Sequence, residues 1–222
     1  MSQLCKENIT CPRCQAEGEF DFWSSINVDL NPELKKKIFN EELFTWVCPK
    51  CGAKVFIPFG TLYHDMNHKF MIFFSHDEPE DGKKYESFEM PEGIGFDKGY
   101  IFRAVYGLLN FKEKIAILES GLDDVAVERL KYTMTHYMEP SLYEKGSKLF
   151  FEGMTMPDKE YKYGKMVFFC QNPDKDECGE IDIAMEKYYQ QRLALKLDRR
   201  FEIGKCACVD EDWISMKMKG LE

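Results

Sequence analysis

No apolar run in this chain approaches the roughly 18 residues that a bilayer-spanning helix requires, so no membrane-embedded part is expected. The opening residues, MSQLCKENITC, lack both a basic start and an apolar stretch, which excludes the secretory-signal pattern and makes the cytoplasm the expected address. The P-loop, HExxH and GxSxG patterns do not occur, so three common catalytic frameworks have no footing. Positive charge is in deficit: 30 Lys and Arg stand against 39 Asp and Glu, a formal charge of −9. A field of that sign repels polyanions and does not favour a nucleic-acid partner. The excess is concentrated in residues 76–93, HDEPEDGKKYESFEMPEG, whose seven carboxylates and two lysines give −5. Residues 1–60 carry seven basic and eight acidic groups, −1 in all, so a local basic face around Arg13, Lys35–Lys37, Lys50 and Lys54 stays possible.

Cysteine, by contrast, is plentiful: nine in 222 residues. In a reducing compartment these are thiols, and an odd number cannot all pair. Four form a repeated unit, CPRC at Cys11–Cys14 and CPKC at Cys48–Cys51, with 33 residues between. Two residues between two cysteines let a tight turn aim both sulfurs at one point. The proline fixes φ near −65° where no N–H is needed, and Gly52 after the second unit can take positive φ. One such turn supplies half a tetrahedron and two supply all of it. Four thiolates at about 2.3 Å around one Zn²⁺ make a closed structural site, with Cys11, Cys14, Cys48 and Cys51 as ligands. A rubredoxin-like iron centre uses the same ligand set. A redox CxxC wants a single motif at a helix N-terminus, whereas both units here are flanked by strand-like sequence. With every coordination position filled by sulfur, the ion is a cross-link rather than a catalyst. It would carry −2, which Arg13, Lys50 and Lys54 are placed to offset.

Around these turns the pattern is that of an α+β protein. Residues 1–78 read as a zinc-ribbon-like antiparallel β domain with an inserted helix, 79–94 as an acidic loop or linker, and 95–222 as an α+β domain. EFDFWSSINV (19–28), FTWV (44–47), AKVFIPF (53–59) and KFMIFFS (69–75) are expected strands. NPELKKKIFNEEL is an expected helix, capped by Asn31, with Leu34, Ile38 and Phe39 as its buried stripe. Helices are expected over 95–140. The spacing of Ile101, Val105 and Leu108 places one in GYIFRAVYGLL (99–109), and Asn110 with Glu113 reads as a capping box for a second, stopped by Gly121. A third opens at Asp123 or Asp124, runs through Val127, Leu130 and Tyr137, and closes at Pro140. Hairpins and helices follow over 146–222: strands from KLFFEG onward, a hairpin turning around Asn172–Asp176, a helix in EKYYQQRLAL, and a last one capped by Asp210.

CPRC, the strand after it, NPELKKKIFNEELFTWVCPKCG, LYHD at 62–65 and FMIF resemble the CpXC family, named for its paired Cys-Pro-x-Cys units. KEKIAILESGLDDVAVERLKY (112–132) is similar to that family's continuation, so the resemblance spans roughly 11–135. It implies a zinc-ribbon-like domain of bacterial and archaeal proteins without an assigned biochemical function.

Three function classes follow. The first is a zinc-stabilised, non-catalytic binding or scaffold protein with one structural Zn²⁺, engaging a protein partner or itself. The second is a nucleic-acid or transcription-associated zinc ribbon. The third is an enzyme with a site near His64, Asp65 and the 93–103 segment, with His64–Asp65 as base and orienting carboxylate and His68 as a further ligand. Against that third class, YHDMNHK reads equally as a polar turn in which Asp65 and Asn67 bond their own backbone. GIGFDKG (93–99) misses the dinucleotide fingerprint by one place and reads as a loop. Cys170, Cys178, Cys206 and Cys208 can be arranged as a second four-sulfur site, although their spacings are poor for knuckles and buried thiols are common.

Overall fold

The architecture comes from a computed structural model of the chain, which describes residues 1–85, 99–144, 146–172, 177–203 and 206–220. It divides into two compact units: Met1–Asp81 with Met90–Leu108, and Gly82–Glu89 with Leu109–Glu222. Among the described residues, no helix is long and apolar enough to cross a membrane.

In the first unit, β1 (Gln3–Thr10) and β2 (Glu17–Asn27) form an antiparallel hairpin whose connection is the first CPxC turn. Next come α1 (Pro32–Phe39), a 3₁₀ turn (Glu42–Phe44), and the short antiparallel pair β3 (Thr45–Val47) and β4 (Lys54–Phe56), joined by the second CPxC turn. β5 (Thr61–Asp65), β6 (Phe70–Ser75) and β7 (Ile101–Tyr106) complete a sheet in which the strands of this unit run β1-β2-β5-β6-β7. The local pairs β1–β2, β3–β4 and β5–β6 are antiparallel as expected, whereas β2–β5 and β6–β7 are parallel. A parallel pair needs a long crossover, and between β2 and β5 the stretch 28–60, carrying α1 and the second CPxC turn, provides it. Phe44 anchors the aromatic core, 4.8 Å from the Phe59 ring centroid and 5.8 Å from that of Phe74.

The second unit places α2 (Leu108–Glu119) and α3 (Asp124–Thr133) against an antiparallel sheet of β8 (Lys148–Met154), β9 (Lys165–Asn172) and β10 (Glu177–Ala184), in the order β10-β9-β8. A π turn (Met134–Met138) and α4 (Pro140–Glu144) precede β8. α5 (Met185–Leu195), a short β11 (Cys206–Cys208) and α6 (Glu211–Lys219) follow β10. Asp123 caps α3 by accepting the N–H groups of Val125 and Ala126, and Asp210 caps α6 through Trp213 N–H at 2.9 Å. One side of α3 (Ala126, Val127, Leu130) packs with Leu149, Phe151, Met166 and Phe168 of the sheet. Its other side (Val125, Tyr132) packs with Trp213 and Ile214 of α6.

Several expectations change. Residues 101–106 form a strand, not a helix: Phe102 to Val105 are all buried, so the strand shows no alternation, and its i, i+4 apolar spacing suited either element. Ile, Phe, Val and Tyr tip that balance towards the sheet. Phe39 ends α1 at 40% exposure and leaves Leu34 and Ile38 as the buried stripe. Asn31 makes no side-chain cap and instead donates to Glu33 Oε1 at 3.3 Å. α2 starts at Leu108, so Asn110 and Glu113 lie inside it and form no capping box. Tyr137, on the π turn past α3, is 66% exposed. Within the expected loop 79–94, Glu80–Tyr85 forms a 3₁₀ turn. The rest of that stretch, GIGFDKG up to residue 98, and the 173–176 turn of the β9–β10 hairpin lie outside the described residues.

Because α3 is enclosed on both sides, its charges are buried with it. Lys131 Nζ meets both Glu113 oxygens at 2.9 and 3.0 Å and Glu128 Oε2 at 3.0 Å. Lys114 Nζ meets Asp124 at 3.0 Å and the Val209 carbonyl at 2.8 Å, with Glu128 Oε1 further off at 3.9 Å. Glu113 also accepts Phe151 N–H at 2.7 Å, which ties α2 to β8. Glu128 is therefore the second claimant on both ammonium groups. Burial pushes its carboxyl up to about 7, the Glu113 charge adds to that, and the two lysines offset only part of it. A carboxyl raised on folding stabilises fully below its unfolded value and loses that contribution as pH rises through about 7. Glu128→Gln is expected to remove a decline on the order of 3 kcal/mol between about pH 4.5 and 7. Denaturant melts of the two proteins across that range check this, and parallel curves would contradict it.

Candidate metal centre

The two CPxC turns are built alike. In the first, Cys11 N–H donates to Ala16 O at 2.8 Å and Gln15 N–H to Cys11 O at 2.9 Å. In the second, Cys48 N–H donates to Ala53 O and Gly52 N–H to Cys48 O, both at 2.9 Å. Each turn ends with a left-handed residue, Gln15 at φ 57° and Gly52 at φ 70°. Glycine takes that conformation freely; glutamine is strained in it.

The turns are fixed to one another by packing. Trp46 is 4% exposed and its indole N–H donates to Glu19 O at 3.1 Å. A Cβ on Gly18 would lie 2.7 Å from the Trp46 ring and 3.2 Å from Pro49, so this glycine allows the second turn to close on β2. Phe20, Trp46, Cys11 and Cys48 form one buried cluster, with Cys14 and Cys51 at its half-exposed edge.

All four cysteines singled out in the sequence meet here, with their sulfurs within 4.8 Å of one another. Cys11 Sγ lies 3.7 Å from Cys51 Sγ, and Cys14 Sγ 3.6 Å from Cys48 Sγ. A disulfide requires about 2.05 Å, and all four are free thiols. An ion with sulfur ligands at about 2.3 Å has tetrahedral edges of about 3.8 Å, which the two measured separations match. The donor set thus fits one tetrahedral thiolate-bound ion. Ala16 N–H lowers the pKa of the Cys14 thiol, but burial and hydrogen bonds among the thiols outweigh it and push it up to about 12. Burial raises that of Cys48, whereas the N–H groups of Cys51 and Lys50 and the neighbouring thiols bring it down to about 6. Four thiolates this close would repel one another, so ionising them together calls for a cation; metal binding would release protons and acid would oppose it. Arg13, Lys50 and Lys54 are exposed.

The other candidates separate. His64 and Asp65 are consecutive on β5, so their side chains leave opposite faces and form no base–carboxylate pair. Asp65 is 3% exposed and accepts His68 N–H and meets His68 Nδ1, both at 2.8 Å, which makes it the brace of the β5–β6 turn. His64 Nε2 instead lies 3.1 Å from the Tyr100 hydroxyl, and burial lowers its pKa. Asn67 bonds Asp29 rather than its own backbone. Residues 93–98 lie outside the described residues. Cys170 is buried in the second unit's core opposite Leu149 and Gly179, and Cys208 donates to Asp210 at 3.5 Å while burial raises its pKa. The side chains of Cys178 and Cys206 lie outside the description. Among the described residues, no other group of three or more His, Cys, Asp or Glu is close enough to share an ion. Two features escaped sequence reading: the strained Gln15, which aligning CPRCQA with CPKCGA would have exposed, and the buried Glu113–Lys131 network.

Paired cysteine turns joined across a small β unit define a domain that can hold one metal ion. A family model described as CpXC protein matches residues 9–131, more than half of the chain, and the chain belongs to that family. No curated protein matches it, and no solved structure does.

Gln15→Gly relieves the left-handed strain and is expected to stabilise the fold by about 1 kcal/mol, whereas Gly52→Ala costs about as much. Equilibrium denaturation of both variants with metal bound checks the pair of signs, and a destabilising Gln15→Gly would contradict the symmetry of the turns.

Proposed function

We propose that this chain is a zinc-stabilised, non-catalytic binding protein that engages a protein partner. The observation supporting this most directly is the four-sulfur cluster. An ion bound by all four sulfurs would keep no position for water or substrate and would tie together turns 37 residues apart in their first cysteines, 11 and 48. Zinc is favoured over iron because a closed four-cysteine knuckle pair is its usual structural environment and the role asked of it is mechanical. The separation of His64 from Asp65 removes support from an enzyme centred there.

Metal analysis of the purified chain is expected to give close to one zinc per molecule. Cys48→Ser or a strong chelator is expected to unfold the first unit, read by the emission of Trp23 and Trp46. Iron in place of zinc, or a fold indifferent to chelation, would contradict the proposal.

A further inference from the structure

α5 presents two unlike faces. Its inner face belongs to the core: Met185 and Tyr188 are 7% and 1% exposed, and the Tyr188 hydroxyl accepts Asp123 N–H at 2.9 Å. The outer face holds Tyr189, Leu193 and Leu197, exposed at 48%, 64% and 86%. They follow one another at i, i+4 and i+8, successive members about 40° apart around the axis, so they form a continuous apolar row. Leu197 lies just beyond α5 but stays on the same turn, its N–H donating to Ala194 O at 3.1 Å. Isolated exposed leucines are ordinary on protein surfaces; a regular row of three on one helix face is not.

The charge beside this row is mostly positive: half-buried Glu186, one turn before Tyr189, is the only carboxylate on α5, and the cations follow it. Residues 187–197, KYYQQRLALKL, contain three cations and no anion in a chain of net charge −9. Arg192 and Lys196, themselves i and i+4, run along the edge of the row and are exposed. The nearest following carboxylate, Asp198, is already held by Arg200, with contacts of 2.6 to 3.2 Å. Nucleic acid answers the cations but not the leucines, since a phosphate backbone buries no aliphatic side chains. An acidic amphipathic helix answers both: its apolar ridge covers the row and its Asp or Glu flank meets Arg192 and Lys196.

We infer that the outer face of α5, Tyr189–Leu193–Leu197 edged by Arg192 and Lys196, docks an acidic amphipathic helix of a partner protein. This rests on the binding-protein reading above and assigns that binding a surface. The test uses the full metal-loaded chain and, as probe, a labelled synthetic helix with leucines at i, i+3, i+4 and i+7 and glutamates on both flanks. Saturable binding is expected by fluorescence anisotropy, weakening as salt rises. Leu193→Asp is expected to reduce affinity roughly ten-fold or more. Arg192→Glu with Lys196→Glu is expected to reject the acidic probe and accept its lysine-flanked counterpart. All of these residues are exposed, so circular dichroism and metal content are expected to stay unchanged. Probe binding unaffected by these variants, or none, overturns the assignment. So does a preference of this face for phosphatidylserine vesicles over the helix, or a concentration-dependent dimer abolished by Leu193→Asp. A native protein partner whose binding survives Leu193→Asp overturns the α5 assignment while leaving the binding-protein reading intact.

Discussion

Four sulfur atoms within a few ångströms of one another are the constraint around which the first unit is organised. Like-charged thiolates repel, so ionising such a cluster calls for a counter-ion, and the groups around it hold the sulfurs at separations that one ion would fit. The backbone hydrogen bonds of each CPxC turn fix where the sulfurs point, and the indole of Trp46 lies against the backbone of Gly18 so that the turns face each other. The crossover between β2 and β5 carries the second turn back to the first. The separate two-stranded β3–β4 pair, three residues to a strand, would gain from such a cross-link, because it would restrain distant parts of the chain.

In the second unit, buried charge is met by opposite charge. α3 is buried on both sides, and its charged residues could not reach water, so they reach one another: Lys131 with Glu113 and Glu128, Lys114 with Asp124. Buried ion pairs of this kind add little net stability over an apolar packing, but removing one member is severe because its partner is left uncompensated. Glu113 accepts from both Lys131 and the Phe151 amide, which joins α2 to α3 and to β8.

Much of this was legible in the residues, and the reasons for the failures are physical. The CPxC spacing encodes the sulfur cluster directly, because a two-residue turn fixes where its sulfurs can point. The Asp123 and Asp210 caps and the β9–β10 hairpin were readable because local chemistry determines them. β7 was misread since burial on both faces erases the alternation that marks a strand. Glu113 was taken for a cap because a charge on a helix normally meets water, and only the tertiary enclosure of α3 makes it a core residue. His64 and Asp65 look like a catalytic pair in one dimension and are separated by the pleat in three. The helix of α5 was expected from the sequence, but its outward apolar row was not, since only the fold shows which of its faces is left to solvent.

X-ray absorption at the metal edge of the purified, metal-loaded protein tests the central claim most directly. The account predicts a single shell of four sulfur neighbours at about 2.3 Å. A shell containing nitrogen or oxygen ligands, fewer than four sulfurs, or a second metal scatterer nearby would contradict it.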